Sequence, residues 1–394
     1  MYSPLEVFGP EHEFSLVDQD LKPMPISDKI IKAYCGRAIN FIELPDFTFG
    51  KELQLHVMEI KANQPFKNPS EFEETMNNAV STLSVIVAKH GAKLLGTGMH
   101  PLLKFADTGI WPHYHRKIYR EYGKIFCLQQ HGWLNIQSFH LNLPYQKEAD
   151  ATQIHNQLCN LCACLPAIAA SSPIFESKMG PDIDNRLQFY KVNQKEVPSI
   201  TGDVIPDYVS SFACYKRDVI GRYTEDLIKE GADKVLLNRE WVNSRGIIFR
   251  FDRCSLEVRV IDEQECVKMD VALSCFIRAA LRGLIEVGEE LLPHGVLVKN
   301  FNGAIKDGLN AKFSCSNGKT ARQFCSHYLK LAEKHADTEE KKYLPLIARR
   351  IQEGNLSERI AAQVQRRSEK TSFDEAIQCV YSTLIKCLSA NELF

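Results

Sequence analysis

Glu11 and Glu13 stand two residues apart in GPEHEFSL, a spacing that puts both carboxylates on one face of an extended strand, with Ser15 beside them and Phe14 and Leu16 on the other face. The pattern recurs. In NIQSFHLNLP, Ser138, His140 and Asn142 share a face opposite Phe139, Leu141 and Leu143. In SLEVRVID, Glu257 and Arg259 lie opposite Leu256, Val258 and Val260. Such alternation is routine in a sheet with one solvated face, so each strand alone says little. Glu59 adds weight, because at odd spacing it falls on the face of Leu53, Leu55 and Val57, where a carboxylate is costly without a partner. Glu52 has the opposite parity and reaches that face only through a bulge or from ahead of the strand.

If these carboxylates converge, two of them about 4 Å apart repel by about 4 kcal/mol at an effective dielectric near 20. A cluster of four then requires cations. Oxygen donors joined by a His or Asn suit Mg²⁺ or Mn²⁺ better than zinc, and Mg²⁺ in such a setting commonly also holds substrate phosphates.

The elements that must position these groups follow from periodicity. Strands are expected over residues 5–17, 53–60, 93–96, 134–143, 247–251 and 255–261. Between them, Ser70 with Glu73 reads as a capping box opening a helix through Phe72, Met76, Val80, Leu83 and Val87, with Gly91 as its C-terminal cap. Further helices are expected over 150–170, stopped by Ser171, Ser172 and Pro173, and over 267–291. From about 320 the pattern is helical to the end, with Phe373, Ile377, Val380, Leu384 and Leu388 forming one stripe. Strands with helices inserted between them and a helical tail indicate an α+β chain without a regular βαβ repeat. No linker cuts it, so residues 1–394 read as one catalytic domain with a helical subregion from about 320.

The ordered series GPEHEF, ELQLHVMEIKANQP, SFHLNLP, LPAIAASSPIF and LEVRVID resembles the ATP-dependent glutamate-cysteine ligase and carboxylate-amine ligase families. Gly96, Thr97, His100 and Pro101 are similar to a family GTHP segment, and Asn300, Ala304, Gly308 and Leu309 to a family N-x3-A-x3-GL pattern. Gly354 and Arg359 fit a late family signature. The resemblance implies a curved, mainly antiparallel sheet of the glutamine synthetase and guanido kinase type, with flanking helices. It also implies a two-step reaction: a carboxylate, usually the γ-carboxylate of glutamate, takes the γ-phosphate of ATP, and an amine then displaces phosphate to leave an amide. The first step rests on alignment and charge neutralisation more than on covalent help from the protein.

Carried over residue by residue, the resemblance makes Glu11, Glu13, Glu59, His140 and Glu257 the metal ligands. Arg259 would neutralise phosphate charge, Glu52 would be a second catalytic group, and Asn142 would lie near the phosphates or the ligand. His100 is placed with the substrate-binding residues. For Arg186 and Tyr190 a substrate-carboxylate role and an exposed structural pair stand level. The family's Trp and Arg before the GL pair are here Asn302 and Gly303, and a later Arg is Lys306; His100 follows an extra Gly98-Met99. These departures fall where nucleotide or amine contacts are expected and leave amine specificity open.

Composition narrows the rest. Among 394 residues, 48 Lys and Arg face 49 Asp and Glu, so no bulk positive charge drives binding to nucleic acid or an anionic membrane. Thirteen cysteines diluted over this length, behind an opening with neither a basic nor an apolar leader pattern, set the expectation of reduced thiols in a cytoplasmic protein. Cys159, Cys162 and Cys164 lie in an apolar helical stretch and read as core, not as a zinc site. His113 and His115 read as an exposed loop or a lid over ATP. The expectation is therefore a ligase using ATP, Mg²⁺ or Mn²⁺, a glutamate-like acid and an amine such as cysteine, with homo-oligomerisation left open. The rivals are a ligase for another acid or amine, a nucleotide-binding member without turnover, and a metal hydrolase.

Overall fold

Period-two alternation builds β1 (Gly9–Val17), whose Phe14 and Leu16 are fully buried. In this computed structural model, which describes residues 2–114, 116–314 and 319–394, β1 is the middle strand of a large open sheet. The other strands are β2 (Phe41–Glu43), β3 (Phe47–Lys51), β4 (Val57–Ala62), β5 (Lys93–Leu95), β6 (Ser138–Pro144), β7 (Ile174–Phe175), β8 (Lys178–Met179), β9 (Ile247–Arg250) and β10 (Ser255–Asp262). Seven of them run in the order β2-β3-β4-β1-β6-β10-β9; β5 pairs with the end of β1, and β7 with β8 forms a separate hairpin. Every pairing among these strands is antiparallel.

One face of the sheet is apolar and covered. Phe14, Met58, Ile60, Phe139, Leu141 and Val258 join a core built with the helices Pro69–Ala88, Glu148–Cys162 and Val267–Val287. The helix Val267–Val287 is buried on nearly all sides and packs on the other two. It stops at Gly288, whose φ of 64° is the left-handed conformation that only glycine adopts without strain. The C-terminal helices divide between two cores. Ala321–His335 and Leu344–Glu353 extend the main one, whereas Leu356–Ser368 and Phe373–Ala390 bury Ile377, Val380 and Leu384 against Val17, Leu21 and Leu95.

Several expected boundaries move for identifiable reasons. The helix expected from Ser70 begins at Pro69 under Asn68, whose side chain accepts the Ser70 N–H at 2.7 Å; Glu73 instead accepts from Tyr343 and Asn391. Gly91 has φ 75° but lies beyond the cap at Lys89. The helix expected over 150–170 breaks after Cys162 and restarts at Leu165, because Pro166 cannot continue the ladder. The strand expected from Leu53 starts only at Val57. Leu55 N–H bonds Gly109 O (2.8 Å) and Trp111 N–H bonds Leu53 O (2.9 Å), so this stretch is tied to a neighbouring loop. The strand expected from Leu134 begins at Ser138, after a helical turn His131–Leu134. Cys159, Cys162 and Cys164 are fully buried core residues. His113 bonds Asp28 at 2.9 Å, and His115 lies outside the described residues. No helix among the described residues is long and apolar enough to cross a membrane.

Candidate functional site

The register of the sheet decides which side chains meet. Glu13 lies opposite Glu59 across β1 and β4; Glu11 lies opposite Lys61 on that side and opposite His140 on β6. Glu257 on β10 lies opposite Asn142. Alternation sends these side chains to the uncovered face, where Glu11, Glu13, Glu59, His140, Glu257 and Arg259 line one cleft of about 440 Å³. Glu52 lines it too, entering from the segment ahead of β4 and not from the strand. Tyr190 borders the same space.

Burial and pairing set the charges. Lys61 Nζ bridges Glu59 Oε1 (2.9 Å) and Glu11 Oε2 (3.3 Å), and Arg253 Nη1 reaches Glu11 Oε1 at 2.6 Å. Burial favours a proton on Glu11, but Lys61 and Arg253 overcome it and hold this carboxyl well below the usual range. Glu13 is pushed up to about 8, first by burial and then by Glu52, and Glu59 is raised well above its ordinary value by burial, with Glu52 and Glu11 adding to it against Lys61. Glu257 is fully buried but gripped by Arg259 Nε (2.6 Å) and Arg250 Nη1 (2.5 Å), so against burial it falls to about 2, with Arg259 the leading cause. Burial and then Arg259 push His140 down to about 4. Ser138 Oγ donates to Glu13 Oε2 and lies 3.0 Å from His140 Nε2. With that hydroxyl proton committed, Nε2 donates and the His140 Nδ1 lone pair is left for a ligand.

The donor set fits a hard divalent cation: carboxylates and one neutral imidazole, with Glu13 and Glu59 held up by burial and by Glu52 as a cation would not leave them. The cations Lys61, Arg250, Arg253 and Arg259 suit phosphate oxygens at the same place. In the arrangement described, Glu11 and Glu257 spend their oxygens on those basic groups. The one set of three His, Cys, Asp or Glu donors within 4.8 Å of one another among the described residues lies elsewhere, at His12, Glu263 and Asp270.

Not every expected residue reaches the cleft. Asn142 lies at its edge, donating to Glu11 Oε1 (3.2 Å) and lining an adjoining pocket of about 370 Å³ with Arg253 and Lys61. His100 is fully buried elsewhere, its Nδ1 accepting the Leu102 N–H, and burial pushes it down to about 3; it does not line the cleft. Arg186 is not exposed but buried in an ion pair with Asp262. Asn302, Gly303 and Lys306 sit on the helix His294–Asp307, away from the cleft lining, where Asn302 accepts from Lys191.

Other residues of the cleft went unread in the sequence. Lys61 was within reach, being two residues after Glu59 on the same face. Arg250 and Arg253 come from β9 and the turn after it, and only tertiary structure aims them at Glu257 and Glu11. The far wall is aromatic: Tyr119, Tyr122, Trp133 and Trp241 line it, with Tyr122 5.4 Å from Trp133 and 6.3 Å from Trp241. Lys51 donates to Tyr119 OH at its edge.

Residues 7–382 match glutamate-cysteine ligase family 2. An uncharacterized protein of Archaeoglobus fulgidus is 44% identical over 388 residues, covering 98% of this chain and all of its own. Among solved structures, glutamate-cysteine ligase of Francisella tularensis in complex with AMP superposes with a TM-score of 0.66 at 13% identity, over 100% of this chain and 91% of that one. A bifunctional glutathione synthetase of Pasteurella multocida gives a TM-score of 0.63 at 14% identity, over 96% of this chain and 52% of that one. At these identities the two structures establish likeness of fold.

Proposed function

This chain belongs to glutamate-cysteine ligase family 2, and from that premise we propose that it is an ATP-dependent carboxylate-amine ligase. It would activate a carboxylate, first of all the γ-carboxylate of a glutamate-like acid, as an acyl phosphate and join it to an amine. The observation that carries the reading is the meeting in one cleft of Glu11, Glu13, Glu59, His140 and Glu257 with Lys61, Arg250, Arg253 and Arg259. The first five would hold Mg²⁺ or Mn²⁺, which when bound screens the phosphate oxygens. Arg259, held in line by Glu257, presents a fixed positive charge to the transferring group. Glu52, which lines the cleft with Glu13 and Glu59, would take the proton that the amine must lose.

The aromatic wall favours keeping the amine open beyond cysteine, since Tyr119, Tyr122, Trp133 and Trp241 offer far more apolar surface than a small thiol needs. The test is ADP release with Mg²⁺, glutamate and a panel of amines, cysteine among them. Amine-dependent ADP release is expected. ATP binding without ADP release from any pair would instead identify a nucleotide-binding member without turnover, and phosphate-ester cleavage without ATP a hydrolase.

A further inference from the structure

The covered face of the sheet holds a second group of ligand-type side chains. His12 lies on β1 between Glu11 and Glu13, so its ring points away from the cleft. There it meets Glu263, just after β10, and Asp270, in the first turn of the helix Val267–Val287. All three are fully buried. His12 Nδ1 is 3.1 Å from Glu263 Oε1 and 3.6 Å from Asp270 Oδ2, and one donor atom from each residue lies within 4.8 Å of the others. Donors bound at about 2.0–2.1 Å to a tetrahedral ion stand about 3.4 Å apart. The two distances straddle that value.

As a hydrogen-bond network the group is incomplete. Asp270 receives no hydrogen bond from outside the cluster, where it meets the Glu263 carboxyl, and His12 Nε2 has no partner. Phe14, Phe72 and Phe139 pack around the imidazole, with the Phe139 centroid 4.8 Å away, so the surroundings supply no polar relief. A buried polar group left in this state costs about 1–3 kcal/mol, and more for a charged one. Burial also pushes both acids well above the ordinary carboxylate range; Glu263 adds to the rise of Asp270, and Glu13 to that of Glu263, against which Asp270 works.

We propose that His12 Nδ1, Glu263 and Asp270 bind one divalent transition-metal ion, zinc by the borderline character of the donors, as a structural staple behind the cleft. Two carboxylates, one neutral imidazole and a dication sum to zero charge, which an apolar interior tolerates. Asp270 can add a second, longer contact through Oδ1, since the two oxygens of one carboxylate stand too close to be separate corners of a tetrahedron. Glu263 is already oriented, because its Oε2 accepts the Glu13 N–H at 3.1 Å. The ion would tie β1 to the end of β10 and the start of the following helix, fixing the strand that carries Glu11 and Glu13. With all three ligands closed off from solvent, it is loaded as the chain folds. Nothing in this inference depends on how the cleft is read.

The test is metal content after exhaustive EDTA dialysis of protein made in zinc-supplemented cells, read by mass spectrometry. One zinc per chain is expected in the wild type and in Glu59→Gln, which alters only the cleft, and none in folded Asp270→Asn. Crystals of the wild type, measured across the zinc absorption edge, need no variant; an anomalous peak between His12 and Asp270 is expected. A wild type that retains no transition metal, zinc kept by folded Asp270→Asn or lost from folded Glu59→Gln, or an anomalous peak confined to the cleft would each overturn the proposal.

Discussion

Arg186 turns both terminal nitrogens of its guanidinium, each 3.4 Å away, onto the carbonyl oxygen of Arg259, while its Nε is held by Asp262. The register of β10 against β6 shifts between Val258 and Ile261, so Arg259 sits in a bulge, with its own N–H bonded to Gly246 O at 2.9 Å. Bulges re-aim side chains. Here the Asp262–Arg186 pair pins the bulge that delivers Arg259 to Glu257, and the buried arginine acts on the site by positioning and not by touching a substrate. Arg186→Leu leaves the Asp262 carboxylate buried without its counter-ion, for which a loss of about 3–5 kcal/mol is expected. Urea unfolding reads it; an unchanged midpoint would mean the pair contributes nothing.

The same carboxylate explains why position 98 is a glycine. A Cβ at position 98 would lie 2.3 Å from Asp262 Cγ and Oδ2, and Asp262 cannot retreat because Arg186 and the Ser171 N–H (2.7 Å) hold it. Gly98 N–H in turn donates to Ser171 Oγ at 2.7 Å. Gly98→Ala is therefore expected to cost about 1–3 kcal/mol by overpacking, seen as a lower Tm, with the larger part of that loss removed in an Asp262→Ala background. Equal losses in both backgrounds would put the clash elsewhere.

Alternation made the front of the sheet readable. Glu11, Glu13, His140 and Glu257 share their faces by parity, and parity survives folding wherever the strand is regular; Arg259 reaches the same cleft from a bulge. Glu59 lies on the expected face, and of its expected neighbours only Val57 shares the strand with it. Leu53 and Leu55 leave the strand for a loop that no local pattern announces, and Lys61, two places on, is the residue that offsets its charge. Arg186 and His100 show the opposite limit. A polar residue type suggests a ligand, but whether the side chain ends in a cleft or in the core depends on partners such as Asp262, 76 residues away in sequence. The aromatic wall was hidden for the same reason, since Tyr119 and Tyr122 meet Trp241 only across the folded chain.

His155 gives an acid-stability prediction. It is fully buried, stacked on Phe249 with centroids 5.0 Å apart, and burial pushes it down to about 4. Its folded value lies below that of the unfolded chain, so between about pH 6.5 and about pH 4 the unfolded state binds the extra proton and stability falls on acidification. His155→Leu removes this penalty. The stability of the variant relative to the wild type should improve by up to about 1.4 kcal/mol per pH unit across that window and stay constant above it. Urea melts at several pH values measure the difference, and a gap independent of pH would show that His155 takes up its proton alike in the folded and unfolded states.

Glu59 and Glu257 should behave alike in activity and oppositely in stability. Gln matches Glu in size but cannot neutralise a cation, so Glu59→Gln and Glu257→Gln are each expected to lower metal-dependent ADP release by at least about a hundredfold. Near-normal turnover in both would sink the ligand assignment. Stability separates them because their surroundings differ. Glu59 is strained by burial and by Glu52 and Glu11, and Lys61 retains Glu11 when it is gone, so Glu59→Gln without metal should melt at or above the wild type. Glu257 is the shared counter-ion of Arg250 and Arg259; neutralising it leaves two guanidinium groups facing each other in a buried site. Glu257→Gln should therefore lose about 3–5 kcal/mol, and a variant as stable as the wild type would show that those arginines find other partners.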